Sequence, residues 1–177
     1  MTAAAVMRPP LVGSVAGGVG ATVLAALLQC EEAGVVPDDG SQPVDVLVCR
    51  STAHSVRDAV AVAARMGSTP VLAVVADCPQ TAPSSVKHRL RMAGPNLAAI
   101  VRVPWWGWLR EADDPAAHTA ALVVGPAANT KPGKAAQAVR DQLVTGVTPL
   151  LTRALPQQGG GDSDDDSPPT TSRAYVS

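Results

Sequence analysis

The sequence predicts an α/β sandwich of three layers, in which a mainly parallel sheet of about four or five strands carries helices on both faces. Three observations lead there. Short apolar runs with little alternation recur at residues 11–15, 44–49, 70–76 and 97–103, as in strands covered on both sides. Segments with helical periodicity separate them, and a strand, helix, strand order makes a crossover between parallel neighbours. The chain has three Trp, one Tyr and no Phe, so its core must be Ala, Val and Leu packed closely, which suits helices lying on a sheet.

At 177 residues the chain has room for one ordinary domain, expected over residues 10–156. Residues 1–9 are expected to be a flexible leader. Residues 157–177 lack a periodic apolar face and are expected to form a disordered acidic tail. Within the domain, the strand at 11–15 leads through a glycine-rich loop into a helix over 21–33, closed by Gly34. A loop over 37–43 precedes the second strand at 44–49. Ser55 with Asp58 three residues on resembles a capping box and starts a helix ending at Gly67. A third strand at 70–76, a helix at 84–93 and a fourth strand at 97–103 follow. The last strand runs into a turn at Pro104 bearing Trp105, Trp106 and Trp108. Beyond Pro115 the one strand signal is 121–124, and residues 132–155 read as a helix interrupted by Gly146 and Pro149.

Of 14 basic and 15 acidic residues, one Arg and four Asp fall in the tail, so the body is close to neutral. That is far from the dense positive field that holds a phosphate backbone, and it argues against nucleic-acid binding. Cys30, Cys49 and Cys78 form no CxxC pair, and their odd number argues against a disulfide framework; they read as small hydrophobes in a reducing compartment. Residues 11–30 are uncharged and long enough to cross a bilayer. However, Gly13, Gly17, Gly18 and Gly20 weaken a continuous helix there, and no basic excess flanks it. A cytoplasmic protein is expected, with a small membrane-anchored one as an alternative.

A glycine-rich loop between a buried strand and a helix is a natural phosphate cradle, because backbone N–H groups converge at a helix N-terminus. Here it reads Gly13-Ser-Val-Ala-Gly-Gly-Val-Gly-Ala-Thr22. A phosphate-binding P-loop has the spacing GxxxxGK[ST]. Gly20 and Thr22 fit; Ala21 stands where Lys belongs and Val15 where the first Gly belongs.

Residues 16–22, AGGVGAT, resemble the KGGVGKT loop of the MinD/ParA group of deviant P-loop ATPases, with Ala16 and Ala21 replacing both lysines. The variant GGVGAT is similar to the pilus-assembly localisation proteins of that group, the TadZ/CpaE type. The likeness extends to Ser55-Val-Arg-Asp-Ala59, to residues 71–77, a strand that in the family ends in a base-contacting Asn where this chain has Asp77, and to residues 100–110, a strand ending in a Pro beside the adenine, here Pro104. Between the loop helix and the SxRDA stretch the family holds switch strands and a Walker B Asp, where this chain shows only a loop over 35–43. The resemblance therefore implies a shortened pseudo-ATPase. Its binding residues would be Gly17, Gly18, Gly20, Ala21, Thr22, Asp77 and Pro104, with no cofactor or a weakly held ATP or GTP. An Asp accepts hydrogen bonds only, so Asp77 suits the paired donors of guanine better than the mixed edge of adenine.

Three of the four aromatic side chains fall at Trp105, Trp106 and Trp108, a partner-binding anchor or a lid over a local core. Lys87, His88, Arg89 and Arg91 line the solvated side of a helix or contact an acidic surface. The three His show no metal-ligand spacing, and no catalytic trio can be argued. The function implied is a non-catalytic MinD/ParA-like adaptor that localises or assembles a membrane-associated machine of the pilus, secretion or conjugation class. It would work from the inner face of the membrane through a protein partner and a homodimer face, its membrane contact indirect or peripheral. A weak nucleotide-binding protein or NTPase completed by a partner is the alternative.

Overall fold

The computed structural model describes residues 8–152. The first seven residues of the expected leader, the acidic tail, and residues 153–156 lie outside the described residues. The strands are β1 (Leu11–Ser14), β2 (Glu31–Val35), β3 (Val46–Arg50), β4 (Val71–Val75) and β5 (Ala99–Val103). The α-helices are α1 (Ala21–Leu28), α2 (Ala53–Arg65), α3 (Ser84–Ala93), α4 (Pro115–Val123) and α5 (Lys131–Leu151). All strand pairs are parallel, in the order β2-β1-β3-β4-β5.

Alternation along the central strands decides the layers. Val46, Val48, Val71 and Ala73 bury into one cluster with Leu24 and Leu27 of α1, Leu122 of α4 and Leu143 of α5. Leu47, Cys49, Leu72 and Val74 point the other way, onto Val56 and Val62 of α2 and Val86 and Leu90 of α3. The two clusters make the three-layer α/β sandwich, each fully buried Val or Leu being worth about 1.5–3 kcal/mol. Below the amino ends of the strands, Arg8 makes a two-pronged pair with Asp45, both bonds 2.7 Å, and Asp45 also accepts the Leu11 amide at 2.8 Å. The chain's entry into β1 is thus held down.

Four expectations need correction. The first helix stops at Leu28 rather than running to Ala33, because Gln29 turns left-handed (φ 53°) and sends its amide back to the last turn. The chain then extends as β2 beside β1, in the region that reads as helix and loop from sequence. Gly34 is no helix terminator: at φ 78° it sits where the β1–β2 register shifts between Val12 and Gly13, a bulge in the outer strand. In α2 the cap is Thr52, whose Oγ1 accepts the Ser55 amide at 3.3 Å, while the Ser55 hydroxyl accepts the Arg50 amide. Residues 121–124 are not a strand. Asp114, accepting the Ala117 amide at 3.0 Å, and Pro115 at the first helical position start α4, and this N-terminal signature outweighs the β-branched pair after it.

The expected break in the final helix is also absent, since α5 runs unbroken through Gly146 and Pro149. A Cβ at Gly146 would lie 3.0 Å from Val71 and 3.2 Å from Ala99, so glycine lets the helix sit close on β4 and β5. Pro149 falls in the last turn, so the amide hydrogen bond it forgoes to the Thr145 carbonyl lies near the helix end and only two helical residues follow it. The uncharged run over residues 11–30 divides into β1, the glycine loop and the eight-residue α1. Among the described residues no helix is long and apolar enough to cross a membrane.

Candidate functional site

β1 and β3 are neighbours whose carboxyl ends share one border of the sheet. The helix after β1 packs on one face and the helix after β3 on the other, so the connections diverge and a crevice opens between them. Ligands of open parallel sheets bind at this kind of divergence. The glycine loop fills one wall. Gly18 (φ 70°) and Gly20 (φ 100°) are both left-handed, which carries buried Val19 inward between them. Gly20 is the N-cap of α1, whose first turn has neither a side-chain cap nor an acidic residue.

A cavity of about 240 Å³ opens beside this loop. Of the residues expected in a binding site, Gly18, Gly20, Asp77, Pro104, Trp105 and Trp106 line it together. Gly17, Ala21, Thr22 and Trp108 do not. Gly17 and Thr22 face solvent, whereas Ala21, at the position of the motif's lysine, is buried in the cluster under α1. Asp77 uses Oδ1 to accept the Ser51 hydroxyl at 2.8 Å, which ties the end of β4 to the end of β3.

The three tryptophans separate by environment. Trp106 is 7% exposed and belongs to the core cluster, stacked on Trp108 at 5.3 Å. Trp108 is half-buried against that cluster and tilted on His118. Trp105 is half-buried under the Arg110 guanidinium, 5.6 Å from its ring centre. A lid over the core therefore describes Trp106 and Trp108, while Trp105 lines the cavity with a cation over its ring. Among the described residues the buried Trp106 indole N–H has no hydrogen-bond partner.

Sequence reasoning missed Arg50. The last residue of β3, it donates from Nη2 to the Gly18 carbonyl at 2.8 Å and lines the cavity, as does Arg110. No motif marks it, because 32 residues separate it from Gly18 and only the β1–β3 adjacency brings the two together.

The carboxylates fall elsewhere. β2 occupies part of the segment that reads as a loop, but Glu31 and Glu32 begin it, at the border opposite the glycine loop. After β2, Arg65 of α2 donates to the Asp38 carbonyl, and Asp39 turns back to accept the Ser41 amide, a bond that holds its carboxyl below the usual pKa. Among the described residues Asp77 is the one carboxylate lining the cavity, and no group of His, Cys, Asp or Glu side chains gathers that could hold a metal ion. His54 pairs with Asp58 and His88 with Arg91, away from the site. Lys87, His88 and Arg91 face solvent, with Arg89 half-buried.

Burial pushes the Cys49 thiol up to about 12 and the half-buried Cys30 thiol up to about 11, for Cys30 with help from the charges of Asp45 and Glu31. Both values exceed the 9.0 of a free thiol. The unfolded chain therefore sheds protons that the folded one keeps, and the stability these groups contribute, complete below about pH 9, is lost as pH rises through the folded values. Urea unfolding should show declining stability above about pH 9, and Cys49→Ala should flatten that decline. An identical slope in the variant would contradict the assignment.

No protein-family model, curated protein or solved structure matches the chain. The likeness to the MinD/ParA group rests on the motif residues.

Proposed function

We propose that the protein is a non-catalytic, P-loop-like adaptor that localises or assembles a membrane-associated machine of the pilus, secretion or conjugation class. It acts from the cytoplasm at the inner face of the membrane through a protein partner. One observation carries the non-catalytic part: the glycine loop lies at the end of β1 with buried Ala21 at the lysine position, and Asp77, the cavity's carboxylate, is tied to Ser51. Phosphoryl transfer works through positioning and charge stabilisation, and among the described residues this site has no lysine, and its one carboxylate is tied to Ser51. The resemblance supplies the machine. The half-buried Trp105 with Arg110 above it supports a partner contact at this end of the sheet, since tryptophan and arginine are frequent interface anchors.

Purified protein should release no phosphate from ATP or GTP above the buffer rate. Turnover that disappears in Thr22→Ala would overturn the reading.

A second reading, a weak nucleotide-binding protein or an NTPase completed by a partner, is favoured by the cavity itself, which joins a glycine loop to two guanidinium groups. Titration of nucleotide with and without cell lysate separates the two readings, because a completing partner would raise affinity or start turnover.

A further inference from the structure

We infer that Arg50 holds the anionic group of a phosphate-bearing ligand in the glycine-loop cavity, with Arg110 as a second counter-charge, in place of the lysines the loop lacks. The inference rests on the reading in which the cavity takes a ligand, and it names the residues that would hold it.

The geometry gives Arg50 two tasks. Its bond to the Gly18 carbonyl consumes one of five N–H donors and fixes the planar head beside the loop, leaving the other donors for an incoming acceptor. Guanidinium presents those donors as a rigid fork that matches phosphate oxygens in pairs, which a lysine ammonium cannot do. Among the described residues neither Arg50 nor Arg110 forms a salt bridge, so neither charge is already spent. The uncapped first turn of α1 adds positive potential on the same side. Trp106 lines the cavity with its ring, while its indole N–H points into the protein, out of reach of a ligand there.

Asp77 sets the orientation. As the carboxylate of the same cavity it repels an anion and attracts donors, so the phosphate lies toward Gly18 and Arg50 while a donor-bearing edge lies toward Asp77. The rest of the lining is largely apolar, with Val23, Leu24, Val75 and Leu109 beside Trp105. The ligand class is therefore a phosphate ester with a flat, weakly polar body and hydrogen-bond donors at its far edge, a description that a guanosine phosphate satisfies.

Titrating the full chain with GMP, GDP and inorganic pyrophosphate, followed by tryptophan emission and by calorimetry, tests this. Wild-type protein should bind GDP saturably, with affinity falling as salt rises. Arg50→Ala should weaken binding about tenfold or more, and Arg50→Lys, which keeps the charge and loses the fork, should fall between. Arg110 lies outside the core, so Arg110→Ala should weaken binding several-fold at unchanged melting temperature, which keeps the test decisive even where Arg50→Ala unfolds. Equal affinity in wild type, Arg50→Lys and Arg110→Ala would overturn the inference, as would the lack of saturable binding by wild type up to about 1 mM. Either result leaves the adaptor reading standing. Hydrolysis of the bound nucleotide, in contrast, would remove the non-catalytic reading and keep the arginine assignment.

Discussion

Replacing Trp106 with alanine should lower stability by about 3–5 kcal/mol, the cost of emptying a large aromatic site in a packed core. The ring is almost wholly buried, stacks on Trp108 and closes the cluster formed by α1, α4 and α5 over the carboxyl ends of the strands. Its loss leaves a void that neighbouring valines and leucines are too short to fill. For a domain of this size the melting temperature should drop by roughly 10 °C, measurable by calorimetry or urea unfolding. Trp106→Phe should stay within about 1.5 kcal/mol of wild type, because it keeps a ring and removes an indole N–H that has no partner in the structure. A Trp106→Ala protein that melts like wild type yet no longer recovers a binding partner would mean that the residue is an interface anchor rather than a lid.

Gly40→Ala should be nearly as damaging, for a different reason. Gly40 sits at φ 71° with its missing Cβ aimed at the end of α2, where that atom would come 2.6 Å from the Arg65 carbonyl carbon and 2.7 Å from the Met66 nitrogen. Those are backbone atoms and cannot rotate aside. Left-handed backbone costs a non-glycine residue about 1–2 kcal/mol, and overpacking typically adds about 1–3 kcal/mol, so a loss of about 3 kcal/mol is expected. Gly67 provides the control: it has φ 64° with open space where a Cβ would go. Gly67→Ala should therefore cost only the conformational part. Equal losses at the two positions would show that the contact with α2 contributes nothing.

What could be read from the sequence follows from burial. β4 and most of β3 appear as apolar runs because helices cover both sides of the sheet there, and α3 is legible from Val86 and Leu90 at helical spacing. β2 is the opposite case. It has a neighbour on one side only, its first residues are two exposed glutamates, and no periodicity distinguishes it from the helix before it. The end of α1 was hidden because Gln29 takes the left-handed position that glycine usually fills. At the candidate site the loop glycines, Asp77, Pro104 and Trp105 were legible from local motifs, since each follows a recognisable strand. Arg50 and Arg110 were not. Their relevance depends on strand order and on the fold of a short 3-10 turn at residues 107–110, neither of which leaves a mark in local composition. The burial of Trp106 was equally hidden, as three tryptophans within four positions look alike until the turn points one of them inward.

The bulge at Gly34 bears on how copies of the chain meet. An outermost strand with an open row of amides invites an exposed strand of another molecule to extend the ladder. Here the kink interrupts that row, and exposed Glu31 and Glu32 put negative charge on its first two positions. Strand addition along this border is disfavoured at its origin, and a crowded solution of the protein is protected on that side of the sheet.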